Sequence, residues 1–357
     1  MARAELVVDR LVATGFIRPS VLWRGLQHSR PSFSHWGVGL LIGLSGLLVE
    51  PLAWLQSLLY AQRLRRVQLP DDPIVIIGHW RSGTTYLHQL LACDPVVATA
   101  RNTLTMAPQV ALLLQPWIAP LMKAWMTRVR PIDAVPWGPD DPQEDEVGLA
   151  RLTFDTNMGG MAFPRDYLAN FRRHVLETST AYERQWLTFC RLTWLHDGAG
   201  KTHWLIKNSV HTARVRLVLK HFPRARFVLL RRSPVDSIRS LVQVKQRLGA
   251  LVGLQPLPDP PTQVEETATA HRELLEAFEA SRHLIPAQQL LELDYDDLIH
   301  QPLQAVEGIY TRFGLTSWPV AEAPIKARID RARSYTADPV QLPPLAERRL
   351  QELVKAS

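Results

Sequence analysis

The stretch PIVIIGHWRSGTTYLHQLLACD, Pro73–Asp94, decides the fold. Its first part is a short, apolar, β-branched run of the kind that makes a buried parallel strand. A glycine loop follows, and then a segment whose apolar residues recur at helical spacing. Strand, loop and helix together are the context a phosphate-binding loop requires. The frame Gly78-His-Trp-Arg-Ser-Gly83-Thr84-Thr85 has the glycine spacing of a Walker loop, but Thr84 stands where that loop has its lysine. The loop's cation is instead Arg81, three residues earlier. Backbone N–H groups and the helix N-terminus make an anion cradle whatever the side chains are. The hydroxyls of Ser82, Thr84 and Thr85 can add hydrogen bonds. A missing lysine argues against ATP or GTP hydrolysis, where it reaches the transferred phosphate.

Outward from this loop the pattern stays α/β. HWLIKN (His203–Asn208) reads as a strand, TARVRLVLKHF as a helix and RARFVLLRR as the next strand. SPVDSIRSLVQVKQRL then opens with Ser233-Pro234, an N-cap and N1 pair. Later, QLLELDYDDL offers a strand and QAVEGIYTRFGL a helix closed by glycine. The predicted fold class is α/β: a P-loop nucleotide-binding-like parallel sheet flanked by helices. Residues 101–200 read as a helical insert rich in Trp and Met. The proline-rich stretch 253–263 reads as a non-helical linker or a lid. Residues 1–70 read as an apolar, helical N-terminal extension, and 71–357 as the main α/β domain.

Composition narrows the partners. The chain has 357 residues, a formal charge of +7 and two cysteines, Cys93 and Cys190. Two cysteines cannot build a disulfide framework or a four-ligand metal site, which fits buried thiols in a reducing, cytoplasmic setting. No basic run with interleaved aromatics points to nucleic acid, so the surplus charge suits a phosphate-bearing small molecule or an anionic membrane surface. Trp36–Tyr60 (WGVGLLIGLSGLLVEPLAWLQSLLY) is apolar apart from Glu50-Pro51, which reads as its interruption. Gly37–Val49 falls short of the roughly 20 residues that span a bilayer. With Arg63, Arg65 and Arg66 following, 36–60 reads as a membrane-surface segment or re-entrant hairpin, or as helices packed on the domain.

A second anion signal is FVLLRRSPVDSIRS: Arg232 ends an apolar strand, and Ser240 lies eight residues on, two turns into the next helix. Such a pair can hold a second phosphate beside the first. Together the segments resemble the sulfotransferases that use 3′-phosphoadenosine 5′-phosphosulfate. In that family a loop of the type R/K-S-G-T-T-x-L cradles the 5′-phosphosulfate, and a later Arg with Ser eight residues on binds the 3′-phosphate. RSGTTYL (Arg81–Leu87) and Arg232 with Ser240 match both. The stretches RPIDAV (Arg130–Val135), PQEDE (Pro142–Glu146) and IKNSVHTAR (Ile206–Arg214) extend the likeness toward a bacterial branch related to tyrosylprotein and carbohydrate sulfotransferases.

The resemblance implies transfer of a sulfuryl group to an acceptor hydroxyl of a lipid, carbohydrate or small metabolite, in line and with no metal expected. It assigns the 5′ end of the donor to Arg81, Ser82, Gly83, Thr84, Thr85 and Tyr86, and the 3′-phosphate to Arg232 and Ser240. Charge builds on the bridging oxygen as sulfur leaves it, and Arg81 can meet it there. Lys207, closing its strand, is the second cation expected at the transferring group. The proton of the acceptor needs a base. His211 stands near where several family members carry one. The alternative is the acidic cluster Glu144-Asp145-Glu146, although Asp141-Pro142-Gln143-Glu144 also reads as a capping box that accounts for Glu144 without catalysis. The glycine-rich basic motif of the cytosolic relatives is missing, and Arg331 or Arg333 can substitute for it. Two other functions fit the loop: a P-loop kinase or nucleotidase using a magnesium nucleotide, with Asp294 and Asp296 as ligands, and a non-catalytic nucleotide-binding membrane scaffold.

Overall fold

A computed structural model describes residue 10 and residues 13–126, 130, 135–333 and 340–355. Residues 131–134 of the RPIDAV stretch lie outside the described residues. Five parallel strands form one sheet in the order β2-β3-β1-β4-β5: β1 Ile74–Ile77, β2 Val97–Thr99, β3 His203–Lys207, β4 Arg226–Arg231 and β5 Leu290–Asp294. The α/β reading holds, with β2 added: its three residues were too few to stand out in the sequence.

All four β1 residues are buried because the sheet is covered on both sides. Val75 and Ile77 face one core with Trp204, Ile206, Phe227 and Leu229, while Ile74 and Ile76 face another with Leu205, Val228 and Leu230. Alternation of side chains across the pleat makes this division unavoidable. The chain passes from β1 to one side of the sheet for β2 and β3, then to the other for β4 and β5. The loop after β1 therefore opens at the carboxyl edge where the two halves diverge, the usual crevice for a ligand in such a sheet.

The predicted helix signals hold around this edge. Ser233 caps the Pro234–Val252 helix, accepting from the Asp236 amide at 3.4 Å. Gly314 closes the Pro302–Phe313 helix in the left-handed region at φ 63°. The proline-rich stretch is non-helical over 253–259, as expected, but its last four residues differ: Asp259 caps a helix over Pro260–Arg282, because two prolines in the first turn forfeit only amides that have no partner there.

The N-terminal apolar segment also differs. Glu50-Pro51 does not break it: Trp36–Arg66 is one helix of 31 residues, with Pro51 on its exposed side. There is no re-entrant hairpin. A buried stripe of Val38, Ile42, Gly46, Val49, Ala53 and Gln56 packs this helix against the domain, with Val49 and Ala53 joining the core beneath the sheet.

Candidate active site

The loop conformation follows from its glycines. Gly78 has φ 135°, and a Cβ there would lie 2.5 Å from the Leu230 carbonyl of β4. Gly83 has φ 94°, and a Cβ would lie 2.7 Å from the Tyr295 ring. Only glycine allows both the backbone turn and these approaches. The Gly78 amide donates to Thr212 Oγ1 at 2.8 Å, fastening the loop to the segment after β3. Arg81 takes φ 69°, a costly position for a residue with a side chain, of the kind that concentrates at functional sites.

The two sequence motifs meet. Arg81 Nε donates to Ser240 Oγ at 2.9 Å, and Arg232 Nη1 donates to the Arg81 carbonyl at 2.8 Å. The Arg232 guanidinium lies 4.1 Å above the Tyr295 ring. Sequence reasoning missed Tyr295, although it begins the helix right after β5, where a residue at the carboxyl edge of the sheet was due. Its neighbours Asp294 and Asp296, weighed as magnesium ligands, are not on the cavity wall.

A cavity of about 1470 Å³ opens over this edge. It exceeds the range for one drug-sized ligand, and has room for a nucleotide and a second substrate. Arg81, Gly83, Thr84, Thr85 and Tyr86 line it on one side, with Arg232 and Ser240 beside them. Arg331 and Arg333 also reach its wall, and so does Arg130 of the RPIDAV stretch. Ser82 is not on the wall: its hydroxyl donates to the His79 carbonyl at 2.7 Å and holds the loop closed from behind.

Glu144 and Lys207 face the same cavity. Lys207 Nζ donates to Glu144 Oε2 at 2.5 Å, and the Ser209 amide donates to Oε1 at 3.0 Å. The capping box does not form. The Asp145–Leu149 helix begins one residue after Glu144 and has no side-chain cap, while the Asp141 carboxylate accepts from the Gly138 amide at 2.7 Å. Glu144 is thus held by the strand end that carries Lys207, and not by its own helix.

The other expected acid–base residues are held differently. Asp145 is buried off the cavity wall, and burial with its two acidic neighbours pushes its carboxyl well up. Glu146 reaches the wall but accepts from the Asn157 amide at 2.5 Å and from Asn208 Nδ2 at 3.0 Å. Burial raises its pKa to about 7. His211 is wholly buried, edge-on to Trp186 with ring centroids 5.0 Å apart. Burial and the nearby Arg214 push it down to about 3, and neither ring nitrogen has a hydrogen-bond partner among the described residues. The structure brings Arg81, Lys207 and Glu144 to one cavity and does not bring His211 there.

The rest of the wall is mixed: charged side chains such as Arg151, Arg239 and Arg247 share it with a set of apolar ones. Ile17 and Ile42 come from the N-terminal region, Met158 and Met161 from the insert, and Leu251 and Val252 from the end of the Pro234–Val252 helix. The arginine-bearing loop edge, a cation–carboxylate pair and a set of apolar side chains therefore share one space.

Comparison with known proteins matches residues 73–319 to the model of the sulfotransferase family. Over 311 residues the chain is 25% identical to the omega-hydroxy-beta-dihydromenaquinone-9 sulfotransferase Stf3 of Mycobacterium bovis, spanning 85% of this chain and 77% of that protein. The protein of the same name from Mycobacterium tuberculosis matches to the same extent. Among solved structures, sulfotransferase STF9 from Mycobacterium avium superposes with a TM-score of 0.66 at 16% identity, covering 94% of both chains. Sulfotransferase STF1 from Mycobacterium tuberculosis gives 0.65 at 19% identity, covering 93% of this chain and 90% of the other. These two likenesses concern the fold.

Proposed function

The chain belongs to the sulfotransferase family, and from that premise we propose that it transfers a sulfuryl group from 3′-phosphoadenosine 5′-phosphosulfate to the hydroxyl of an elongated hydrophobic alcohol. The observation that carries the reading is the meeting of the two anion-binding segments, Arg81 with Ser240 and Arg232 with the Arg81 carbonyl, on the cavity that also holds Glu144 and Lys207. The kinase, nucleotidase and scaffold readings give way to it, because the family match spans both segments.

The loop amides and the N-terminus of the Thr84–Leu91 helix hold the 5′ end of the donor, with the hydroxyls of Thr84 and Thr85 beside them. Arg232 and Ser240 take the 3′-phosphate, with Arg331 or Arg333 as further cations. As the acceptor oxygen attacks sulfur, its proton passes to the Glu144 carboxylate. The new S–O bond forms while the bond from sulfur to the bridging oxygen breaks, and the electron pair stays on the 5′-phosphate. Arg81 and Lys207 meet the charge that grows there and on the transferring group.

The acceptor reading rests on the apolar wall of Ile17, Ile42, Met158, Met161, Leu251 and Val252. The relative Stf3, named for sulfating omega-hydroxy-beta-dihydromenaquinone-9, supports a hydroxyl acceptor. Two free thiols, Cys93 and Cys190, support a reducing, cytoplasmic setting. The test is transfer of labelled sulfate from the donor to a panel of long-chain alcohols in detergent. Label in the alcohol that is lost in Glu144→Gln supports the reading. A folded enzyme that binds the donor yet labels only water-soluble sugars would overturn the acceptor class.

A further inference from the structure

The Trp36–Arg66 helix is apolar on all sides, a pattern that belongs to a buried or membrane-embedded helix. Its most apolar window has a mean hydropathy of 1.8, yet only 28% of that window is buried. At 100° per residue, the buried stripe lies on one side and Leu40, Leu44, Leu47, Leu48, Trp54 and Leu58 lie on the other. These six are between 52% and 81% exposed. Isolated exposed leucines are ordinary, but a continuous ridge of them along one helix marks an interaction surface.

We infer that this outer ridge lies in the plane of an anionic membrane surface and that the acceptor enters the cavity from the bilayer. The second half of the statement rests on the reading that the acceptor is a hydrophobic alcohol. Charge favours a membrane over a protein. Arg63, Arg65 and Arg66 are exposed in the last turn, where anionic headgroups would meet them. Glu50 is the helix's one acidic residue, and its carboxylate is taken by Arg18. A second copy laid on this ridge offers those arginines no carboxylate from the same helix. Trp36 and Trp54 stand exposed, the residue type favoured where water meets lipid.

The helix lies on the membrane and does not span it, because its inner side is already fastened. A Cβ at Gly46 would stand 2.1 Å from the Ile17 carbonyl. Gln56 Oε1 accepts from the Leu112 amide at 2.8 Å, and its amide donates to the Pro108 carbonyl at 2.9 Å. A span would strip Val49 and Ala53 from the core. That fastened side is also the link to catalysis. Ile42 of the buried stripe and Ile17, pressed on Gly46, both line the cavity. An alcohol with its chain in the bilayer lies one helix away from the apolar wall.

The experiment is flotation of the full chain with vesicles of phosphatidylcholine containing a third phosphatidylglycerol, and with phosphatidylcholine alone. Leu48→Glu/Leu58→Glu alters two residues that are 81% and 77% exposed, so the core is untouched. The wild type is expected to float with the anionic vesicles, with partitioning about tenfold or more weaker for the double variant and for the neutral vesicles. Absence of flotation, or equal flotation of the variant, would overturn the inference. So would a wild-type dimer that the variant dissolves while neither protein floats. Binding of 3′-phosphoadenosine 5′-phosphate in solution is measured in parallel. Its loss in both proteins strikes the donor reading alone, and its retention with no flotation strikes the membrane inference alone.

Discussion

Arg81 Nε donates to Ser240 Oγ at 2.9 Å, a contact between residues 159 apart in the chain. It ties the loop proposed to hold one end of the donor to the helix proposed to hold the other, so their contributions to binding are expected to couple. Arg81→Ala and Ser240→Ala are each expected to weaken binding of 3′-phosphoadenosine 5′-phosphate. The double variant should lose less than the sum, with a coupling of about 0.5–1.5 kcal/mol. Dissociation constants of the four proteins check this, and strict additivity would separate the two sites.

Glu144 is the carboxylate held against both Lys207 and the Ser209 amide at the cavity wall. Glu144→Gln keeps the shape and removes the proposed base, so kcat is expected to fall by roughly 10²- to 10⁴-fold. Affinity for the donor product should stay within about threefold, because the role proposed for Glu144 lies in the acceptor half of the reaction. A fall in affinity with kcat preserved would make it a binding residue.

His211 serves as the contrast. Buried on Trp186 and pushed down to about 3, it stays neutral in the fold, whereas the unfolded chain protonates it near 6.5. Its contribution is therefore complete above pH 6.5 and drains away as the pH falls toward 3. Between pH 6.5 and 5 the wild type should lose about 2 kcal/mol from this source, and His211→Gln should not. The variant's kcat at pH 7.5 is expected within about threefold of wild type. A drop comparable to that of Glu144→Gln would restore His211 as the base.

Glu146 shifts the other way. Burial raises its folded pKa to about 7 from the ordinary 4.5, so the native state holds a proton that the unfolded state releases. Stability from this group is complete below pH 4.5 and is lost as the pH rises through 7. Relative to wild type, Glu146→Gln should gain about 1–3 kcal/mol between pH 5 and 8. Thermal unfolding at four pH values measures the difference. Parallel stability curves would show that Glu146 is ionised throughout.

The parts of this molecule legible in its sequence are those made by local chemistry. Ile74–Ile77 with the glycine loop, the Ser233-Pro234 start and the Gly314 stop each depend on residues within a few positions of one another. The strand carrying Lys207 was legible for the same reason. Glu144 was ambiguous because two local rules fit it, a cap and a general base, and a contact with Lys207, 63 residues away, holds it in place of the cap. His211 misled because its place in the family motif says nothing about Trp186, which buries it. Pro51 misled in the opposite sense: a proline breaks a helix by propensity, yet the packed stripe from Val38 to Gln56 carries the helix through it.

The most direct test of the central claim is calorimetric titration of 3′-phosphoadenosine 5′-phosphate into wild type, Arg232→Ala and Glu144→Gln, all with EDTA present. Binding by wild type and Glu144→Gln, with a loss of about tenfold or more in Arg232→Ala, is the result predicted for a donor site built on Arg232 and a base that acts on the acceptor. A folded wild-type protein that binds nothing, or an Arg232→Ala variant that binds as tightly as wild type, would contradict it.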